Sequence, residues 1–545
     1  MNYANVLVNI KGLGVKTFSY EIPDTLKDVI KIGQAVSVPF GRQGSIKAFV
    51  VGFTDYVEDG LKIKKIRSIL DDKPLFNLKY FKLLEWVANY YCTDIVNVIN
   101  LAIPVKLIEK NSKTEYSIEY VNSDNATKRQ LAILEELKNK GKMSLIIFEK
   151  EVKTTRATIK KLEAQGNIKL TEECIYRNPL SIFKDNKLEP LSELSGEQLS
   201  AYEGIKSKLN SRNPILLHGV TASGKTEVYF KLIQDTINAG KNVLFLAPEI
   251  ALASQLTQRI ARKFGINEVA IWHSSISDGE KYDVWNRLYN NEIKILAGAR
   301  SAVFAPLQNI GLIIIDEEHE GAYKQSNPAP RYDAKVVAKK LAQYHNAPLL
   351  LGSATPDIST YYYASNNNTL FEMPHRFNDA PMASIGIINM QEYSRAAYKG
   401  VISKQLQTAV EETLDAGQQI IILINRRGFS TSTMCKSCGH VIECPNCAIP
   451  LIWHAKDKKL KCHYCNHEEE MPDICPNCGS DALKTSGLGS QKVEALFKEL
   501  YPEVNIERID SDVLSRKNTH IEILNRFQKK EIDILIGTQM IAKGL

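Results

Sequence analysis

At 545 residues the chain exceeds one ordinary domain and implies roughly three to five. Its 44% hydrophobic and 24% charged residues, with a mean hydropathy of −0.21, describe a globular protein, and no apolar run reaches the roughly 18 residues of a membrane span. The formal net charge of +7 suits a polyanionic partner without requiring one. The N-terminus has neither the basic leader nor the apolar core of a secretory signal, so a cytoplasmic protein without a membrane partner is expected.

In chain order, the first elements are short alternating apolar runs: Val6-Leu7-Val8, Phe18-Ser19-Tyr20, Ala35-Val36-Ser37-Val38 and Ala48-Phe49-Val50-Val51. Punctuated by glycines such as Gly12, Gly33 and Gly44, they predict a β-rich domain over residues 1–105. It includes a helix near Leu78–Tyr91 whose apolar face carries Leu83, Leu84 and Val87. Residues 110–180 read as a winged helix. Thr127 to Lys140 carries Leu131, Leu134 and Leu137 at helical spacing, a second helix lies around Leu145–Val152, and a third runs from Thr154 to Gln165, stopped by Gly166. Ile168-Lys169-Leu170 starts the wing. Lys153, Arg156, Lys160 and Lys161 lie on or beside the third helix, either as a phosphate-contacting face or as the solvated face of a spacer.

From about residue 190 onward strands alternate with helices, a pattern that implies parallel sheets covered by helices. Gly219-Val220-Thr221-Ala222-Ser223-Gly224-Lys225-Thr226 fits G-x-x-x-x-G-K-[ST], entered by an apolar strand and left by a helix. The glycines let backbone N–H groups close on phosphate oxygens, Lys225 neutralises phosphate charge, and Thr226 offers a hydroxyl to Mg²⁺. Later, Leu312-Ile313-Ile314-Ile315-Asp316-Glu317-Glu318-His319 ends a buried strand in carboxylates. An acidic cluster after a strand is usually a solvated turn. Paired with the loop at Lys225 it reads as catalytic, with Asp316 holding Mg²⁺ and Glu317 orienting and deprotonating water. ATP and Mg²⁺ are therefore the expected cofactors.

Eight of the ten cysteines form four C-x2-C knuckles: Cys435/Cys438, Cys444/Cys447, Cys462/Cys465 and Cys475/Cys478. Eight thiolates fill two tetrahedral zinc sites with none left over, the alternatives being another metal or a redox role. Two knuckles must wrap one ion from opposite sides. The short link from Cys438 to Cys444 is too tight for that, whereas the link from Cys447 to Cys462 is ample. The expected pairing is nested: Cys444, Cys447, Cys462 and Cys465 on one Zn²⁺, and Cys435, Cys438, Cys475 and Cys478 on the other. His440, His463 and His467 are then neighbours rather than ligands. Closed four-thiolate sites are structural.

Further segments narrow the class. Gly352-Ser353-Ala354-Thr355-Pro356 resembles motif III of superfamily 2 helicases. Leu246-Ala247-Pro248-Glu249-Ile250 and Gly298-Ala299-Arg300-Ser301 resemble its backbone-contacting loops, and Ile536 to Gly544 resembles motif V. Helicase motifs interrupted by four C-x2-C knuckles resemble the PriA family of bacterial replication-restart helicases, also called primosomal protein N′. His319 to Gln325 followed by Arg331-Tyr332 looks like the family's aromatic-rich loop. Asn425-Arg426-Arg427-Gly428-Phe429 and Gly489-Ser490-Gln491-Lys492-Val493-Glu494 look like its second-lobe signatures. The segment Lys16 to Tyr20 followed by Val38-Pro39-Phe40-Gly41-Arg42 resembles the family's pocket for a DNA 3′ end, with Ser19 in place of an Asp. In the P-loop, Ala222 replaces a usual glycine of the family.

The resemblance implies a multidomain α/β fold: an N-terminal β-domain, a winged helix (110–180) and two RecA-like P-loop lobes (190–378 and 379–545), with a two-zinc insertion at 430–482 in the second. It implies ATP-dependent 3′→5′ DNA unwinding at branched or arrested forks in a bacterial, nucleoid-associated setting. Single-stranded-DNA-binding protein and primosome or helicase-loading proteins are the implied partners. It assigns Gln198 to adenine, and Phe18, Gly41, Lys64, Arg300, Tyr323, Lys324, Arg331 and Tyr332 to DNA. The chain stops at Leu545, inside the segment resembling motif V, whereas the family continues to motif VI and a further DNA-binding domain. The expectation is therefore a truncated form. Two other readings stand beside the helicase: a fork-binding scaffold without ATPase, since an absent arginine finger costs about 10³–10⁵ in turnover, and an RNA helicase or double-strand translocase.

Overall fold

The computed structural model describes residues 2–14, 16–41, 44–57, 63–71, 73–103, 113–175, 177, 180, 188–248, 250–274, 276–390, 401–424, 432–435, 437–454, 459–462, 464–486, 490–509, 519–538 and 541. Arg42, Glu249, Asn425 to Phe429, His463, Gly489, Gln539, Met540 and Ala542 to Leu545 lie outside the described residues. The chain divides into two compact units, Met1–Pro381 and Met382–Leu545.

The first unit begins with strands β1 (Tyr3–Val8), β2 (Phe18–Glu21), β3 (Ala35–Pro39), β4 (Ser45–Thr54) and β5 (Ser68–Ile69), an antiparallel sheet in the order β2-β1-β4-β3-β5. Alternation sends Ala4, Val6, Val8, Val36, Val38 and Val50 into a core of their own. Leu7, Ala35 and Phe49 belong instead to the large core shared with the helices Leu78–Tyr90 and Ile95–Ala102 and with Trp285, Phe304 and Tyr332 further along the chain. The Trp285 indole N–H donates to Leu75 O at 3.0 Å, so the N-terminal β-domain is seated on the following α/β domain by packing and by a buried hydrogen bond.

Next come β6 (Lys113–Tyr120), β7 (Met143–Ser144) and β8 (Ile168–Ile175) with helices Lys128–Lys140, Leu145–Glu151 and Arg156–Ala164. The first helix opens with a capping box between Thr127 and Gln130. It buries Gln130, Ile133, Leu134 and Leu137, an i, i+3, i+4, i+7 set, which corrects the face drawn through Leu131. Leu131 is 41% exposed, one residue around the helix from that stripe.

The rest of the unit is a seven-stranded parallel sheet of β9 (Ile215–Gly219), β10 (Asn242–Leu246), β11 (Val269–Trp272), β12 (Ile295–Gly298), β13 (Ile310–Ile315), β14 (Leu349–Ser353) and β15 (Leu370–Met373). Its order is β11-β12-β10-β13-β14-β9-β15, with apolar cores on both faces. The continuous apolar strands are what a sheet covered on both sides requires. Because β13, β14 and β9 are neighbours, their carboxyl ends place the acidic turn, the Ser353 loop and the P-loop side by side.

In the second unit, β16 (Ile420–Leu423) precedes an antiparallel sheet of β17 (Ser432–Cys435), β18 (Ile452–His454), β19 (Lys459–Lys461), β20 (Glu468–Glu470) and β21 (Leu483–Ser486), ordered β20-β19-β18-β17-β21. Pairing of Ser432 with Ser486 closes the two ends of this insertion on each other. β22 (Ile506–Ile509) and β23 (Ile534–Gly537) then complete a parallel sheet ordered β16-β23-β22. Among the described residues no helix is long and apolar enough to cross a membrane.

Candidate nucleotide and metal sites

The P-loop turns between β9 and the helix Lys225–Asn238. Gly224 sits at φ 88, and a Cβ there would lie 2.2 Å from Gln198 Nε2, so glycine is needed both for the left-handed backbone and for the contact. Gln198 is buried. Its Oε1 accepts from Ser195 N at 3.0 Å and its Nε2 donates to Ser223 O at 3.2 Å, so it caps its own helix and braces the P-loop. Lys225 Nζ donates to Gly219 O at 2.6 Å, and burial lowers its pKa against the opposing pull of Glu317 and Asp316.

Burial pushes the Asp316 carboxyl up to about 6, with Glu317 adding to the rise and Lys225 and the Tyr229 hydroxyl opposing it. Tyr229 Oη donates to Asp316 Oδ1 at 3.1 Å. That bond depends on Gly352, because a Cβ at this position would stand 1.6 Å from Tyr229 Oη. Glu317 adopts φ 47, a left-handed backbone that costs a non-glycine residue roughly 1 kcal/mol. Asp316, Glu317, Gln198, Gly224, Lys225 and Thr226 line one cavity of about 490 Å³, within the range of small-molecule sites. The hydroxyl of Thr226 and the carboxylate of Asp316 are hard oxygen donors that fit Mg²⁺, and a dication would hold Asp316 charged despite its burial.

Sequence reasoning passed over Glu318, whose side chain is fully buried. It accepts from Lys335 Nζ at 3.0 Å, Asp357 N at 2.7 Å and Thr360 Oγ1 at 3.2 Å, which ties the acidic turn to the helix Ile358–Asn366. The only sequence signal was a third carboxylate in a row, and its apolar surroundings come from distant strands.

Residues assigned to DNA divide sharply. Phe18 packs edge-on against Phe40 at 5.1 Å, beside exposed Gly41 at φ 50. Lys64, also exposed, accepts from Glu21 N through its backbone O at 3.0 Å. Lys324 and Arg331 are exposed. Tyr323 and Tyr332 are instead 0% and 1% exposed, which corrects their assignment as DNA-contacting side chains. Tyr323 Oη donates to Asp316 O at 2.6 Å, while Tyr332 packs on Phe304 at 5.0 Å. Arg300 donates to Ala322 O at 3.2 Å and Lys324 O at 2.8 Å, with its guanidinium 5.9 Å from the Tyr332 ring centroid. It therefore braces the loop from beneath.

The structure gathers Cys435, Cys438, Cys475 and Cys478 in one group and Cys444, Cys447, Cys462 and Cys465 in another, each with its sulfurs within 4.8 Å of one another. This is the nested pairing. Sulfur pairs at 3.6 Å (Cys435–Cys478, Cys444–Cys465) and 3.7 Å (Cys438–Cys475) are close to the roughly 3.8 Å edge of a ZnS₄ tetrahedron with 2.3 Å bonds. The His467 backbone N–H draws the Cys465 thiol down to about 6, whereas neighbouring Cys465 pushes Cys447 up to about 12. Four thiolates this close need a cation, and the donor set fits zinc.

A parallel sheet that brings a P-loop lysine and strand-end carboxylates to one cavity, with a Cys-rich insertion in a second parallel unit, defines a P-loop motor of the helicase class. Residues 5–104 match the family described as the 3'DNA-binding domain (3'BD), 191–358 the Type III restriction enzyme, res subunit, and 444–469 the PriA DNA helicase Cys-rich region (CRR) domain. The chain is 35% identical to replication restart protein PriA of Bacillus subtilis, with 100% of this chain and 77% of that protein covered. To the Synechocystis protein of the same name it is 34% identical, with 100% and 76% covered. A structure of RecG bound to a three-way DNA junction is similar at TM-score 0.36 and 18% identity, over 64% of this chain and 36% of that one. The chain belongs to the PriA family, the DNA helicases of replication restart.

Proposed function

We propose that this chain hydrolyses ATP at the Lys225–Asp316–Glu317 cavity and uses the cycle to move 3′→5′ on DNA at branched or arrested forks. What carries the reading is the near adjacency of β9 and β13 across β14, with the P-loop and the acidic turn lining one cavity. Lys225 and the P-loop N–H groups hold the phosphates, Thr226 and Asp316 hold Mg²⁺, and Glu317 orients the attacking water and takes its proton. Bound Mg²⁺ supplies charge neutralisation at the phosphate oxygens. Gln198, already packed on the P-loop, reads adenine with the amide hydrogen that its two observed bonds leave over.

Residues 1–105 hold a DNA 3′ end through Phe18, Gly41 and Lys64, and residues 110–180 add a winged helix. Residues 190–378 and 379–545 form the motor lobes. Exposed Lys324 and Arg331 contact the strand, while Arg300 acts through the loop it braces. Two structural Zn²⁺ ions stiffen the insertion 430–482. The partners are branched DNA, single-stranded-DNA-binding protein and helicase-loading proteins, in the bacterial cytoplasm at the nucleoid.

The test is ATP hydrolysis by the 545-residue chain with and without a forked DNA carrying a 3′ leading-strand end, with Lys225→Ala as the blank. DNA-stimulated turnover lost in the mutant is the expected result. Tight fork binding without turnover would replace the motor by a recognition scaffold.

A further inference from the structure

The segment following β15 is pinned to the nucleotide cavity on two sides. Val220 N donates to Met373 O at 3.1 Å and Phe377 N donates to Ala222 O at 2.8 Å, which fixes the segment to the P-loop. His375 Nδ1 lies 2.5 Å from Glu197 Oε1, which fixes it to the helix that carries Gln198. The segment thereby delivers Phe377 to the cavity wall. Its side chain is 52% exposed, belongs to no apolar core, and has no aromatic ring among the described residues packed against it. A large apolar ring held at the cavity wall on a fixed backbone offers a face that a flat ligand can cover.

The lining carries two kinds of group. The P-loop amides, Lys225 and the carboxylates Asp316 and Glu317 suit phosphate with a dication. Ser192, Glu193, Gln198 and Phe377 add polar edges and an aromatic face. Arg259, also in the lining, is engaged with Glu227 at 3.0 Å and with the Phe230 ring at 5.5 Å. This second set offers little to a phosphate, while a flat, neutral heteroaromatic ring finds both a stacking face and a polar edge in it.

We infer that Phe377 is the base-stacking side chain of the nucleotide site, with the purine of ATP lying on its ring and the Gln198 amide at the purine's edge. The inference rests on the ATP reading given above and adds a residue that no helicase motif contains. Stacking recognises any π-face, so Phe377 contributes affinity for purine nucleotides in general and leaves the choice among purines to Gln198.

The experiment uses the full chain as wild type, Phe377→Ala, Phe377→Trp and Lys225→Ala, titrated with ATP and with inorganic tripolyphosphate, which keeps the phosphates and lacks the base. Phe377→Ala is expected to weaken ATP by about tenfold, the scale of one base–aromatic stack, and to bind tripolyphosphate as the wild type does. Phe377→Trp is expected to bind ATP normally, its added fluorescence quenched by ATP and untouched by tripolyphosphate. Unchanged ATP affinity in Phe377→Ala overturns the stacking alone. Equal losses for both ligands overturn it too, because they assign Phe377 to holding the P-loop through Ala222. A wild-type chain that binds neither ligand overturns the nucleotide site itself.

Discussion

His319 Nδ1 lies 2.8 Å from the Ser353 hydroxyl, and its Nε2 lies 3.4 Å from the Thr355 hydroxyl. One imidazole thus joins the acidic turn to the Gly-Ser-Ala-Thr-Pro loop, while its Nδ1 also stands 3.6 Å from Glu317 Oε2. Removing it leaves the P-loop contacts in place and cuts a link between Glu317 and the neighbouring loop. His319→Ala should lower DNA-stimulated turnover about tenfold, the worth of one or two net hydrogen bonds. ATP affinity, measured by titration, should change less than about twofold, since none of these bonds reaches the phosphate cradle.

Glu318 and Lys335 make a buried ion pair at 3.0 Å, with the carboxylate fully buried and the lysine side chain 19% exposed. Breaking it from the lysine side strands a charge in the core. Lys335→Met should destabilise the first unit by about 3 kcal/mol, and adding Glu318→Gln should recover a large part of that loss. Urea melts of the wild type, both single variants and the double variant give the coupling directly.

Gly352 shares its space with the Tyr229 hydroxyl. Gly352→Ala forces that hydroxyl away from Asp316 or displaces β14, at about 1–3 kcal/mol for overpacking a filled core. Turnover should fall at least about tenfold. Tyr229→Phe removes the same hydrogen bond without the clash and should fold normally. Comparing melting temperature with turnover in the two variants separates the bond from the packing.

The nested cysteine groups predict metal stoichiometry. Released zinc should be two per chain in the wild type, one in Cys438→Ser or Cys447→Ser, and none in the double variant. Colorimetric zinc release measures it. Loss of both ions in one single variant would mean that the groups fold as one cooperative unit.

His345 ends the helix Ala334–His345, and burial, with nearby Lys79, holds its imidazole down to about 4 from an ordinary 6.5. The fold therefore keeps the neutral ring where the unfolded chain would take up a proton. The resulting stability is fully present above about pH 6.5 and is lost progressively as the pH falls toward 4. His345→Gln should flatten the melting-temperature profile in that window and leave it unchanged at pH 8.

Much of this protein follows from local chemistry that the chain carries with it. Closing a backbone around phosphate requires glycines and a lysine within one short loop, and wrapping a metal requires cysteines at knuckle spacing, so the loop at Lys225 and the eight thiols stand out in the sequence. Even the nested pairing follows from loop lengths. Tyr323, Tyr332 and Arg300 lay beyond such reasoning. An aromatic or an arginine in a polar loop reads as a surface residue, and only the packing of β10, β13 and the helix Ala334–His345 turns both tyrosines inward and aims the guanidinium at Ala322 and Lys324. The same holds for Glu318, and for Phe377, which no motif marks. Their roles come from partners many residues distant, and a linear pattern records spacing along the chain but not which distant atoms remove a side chain from water.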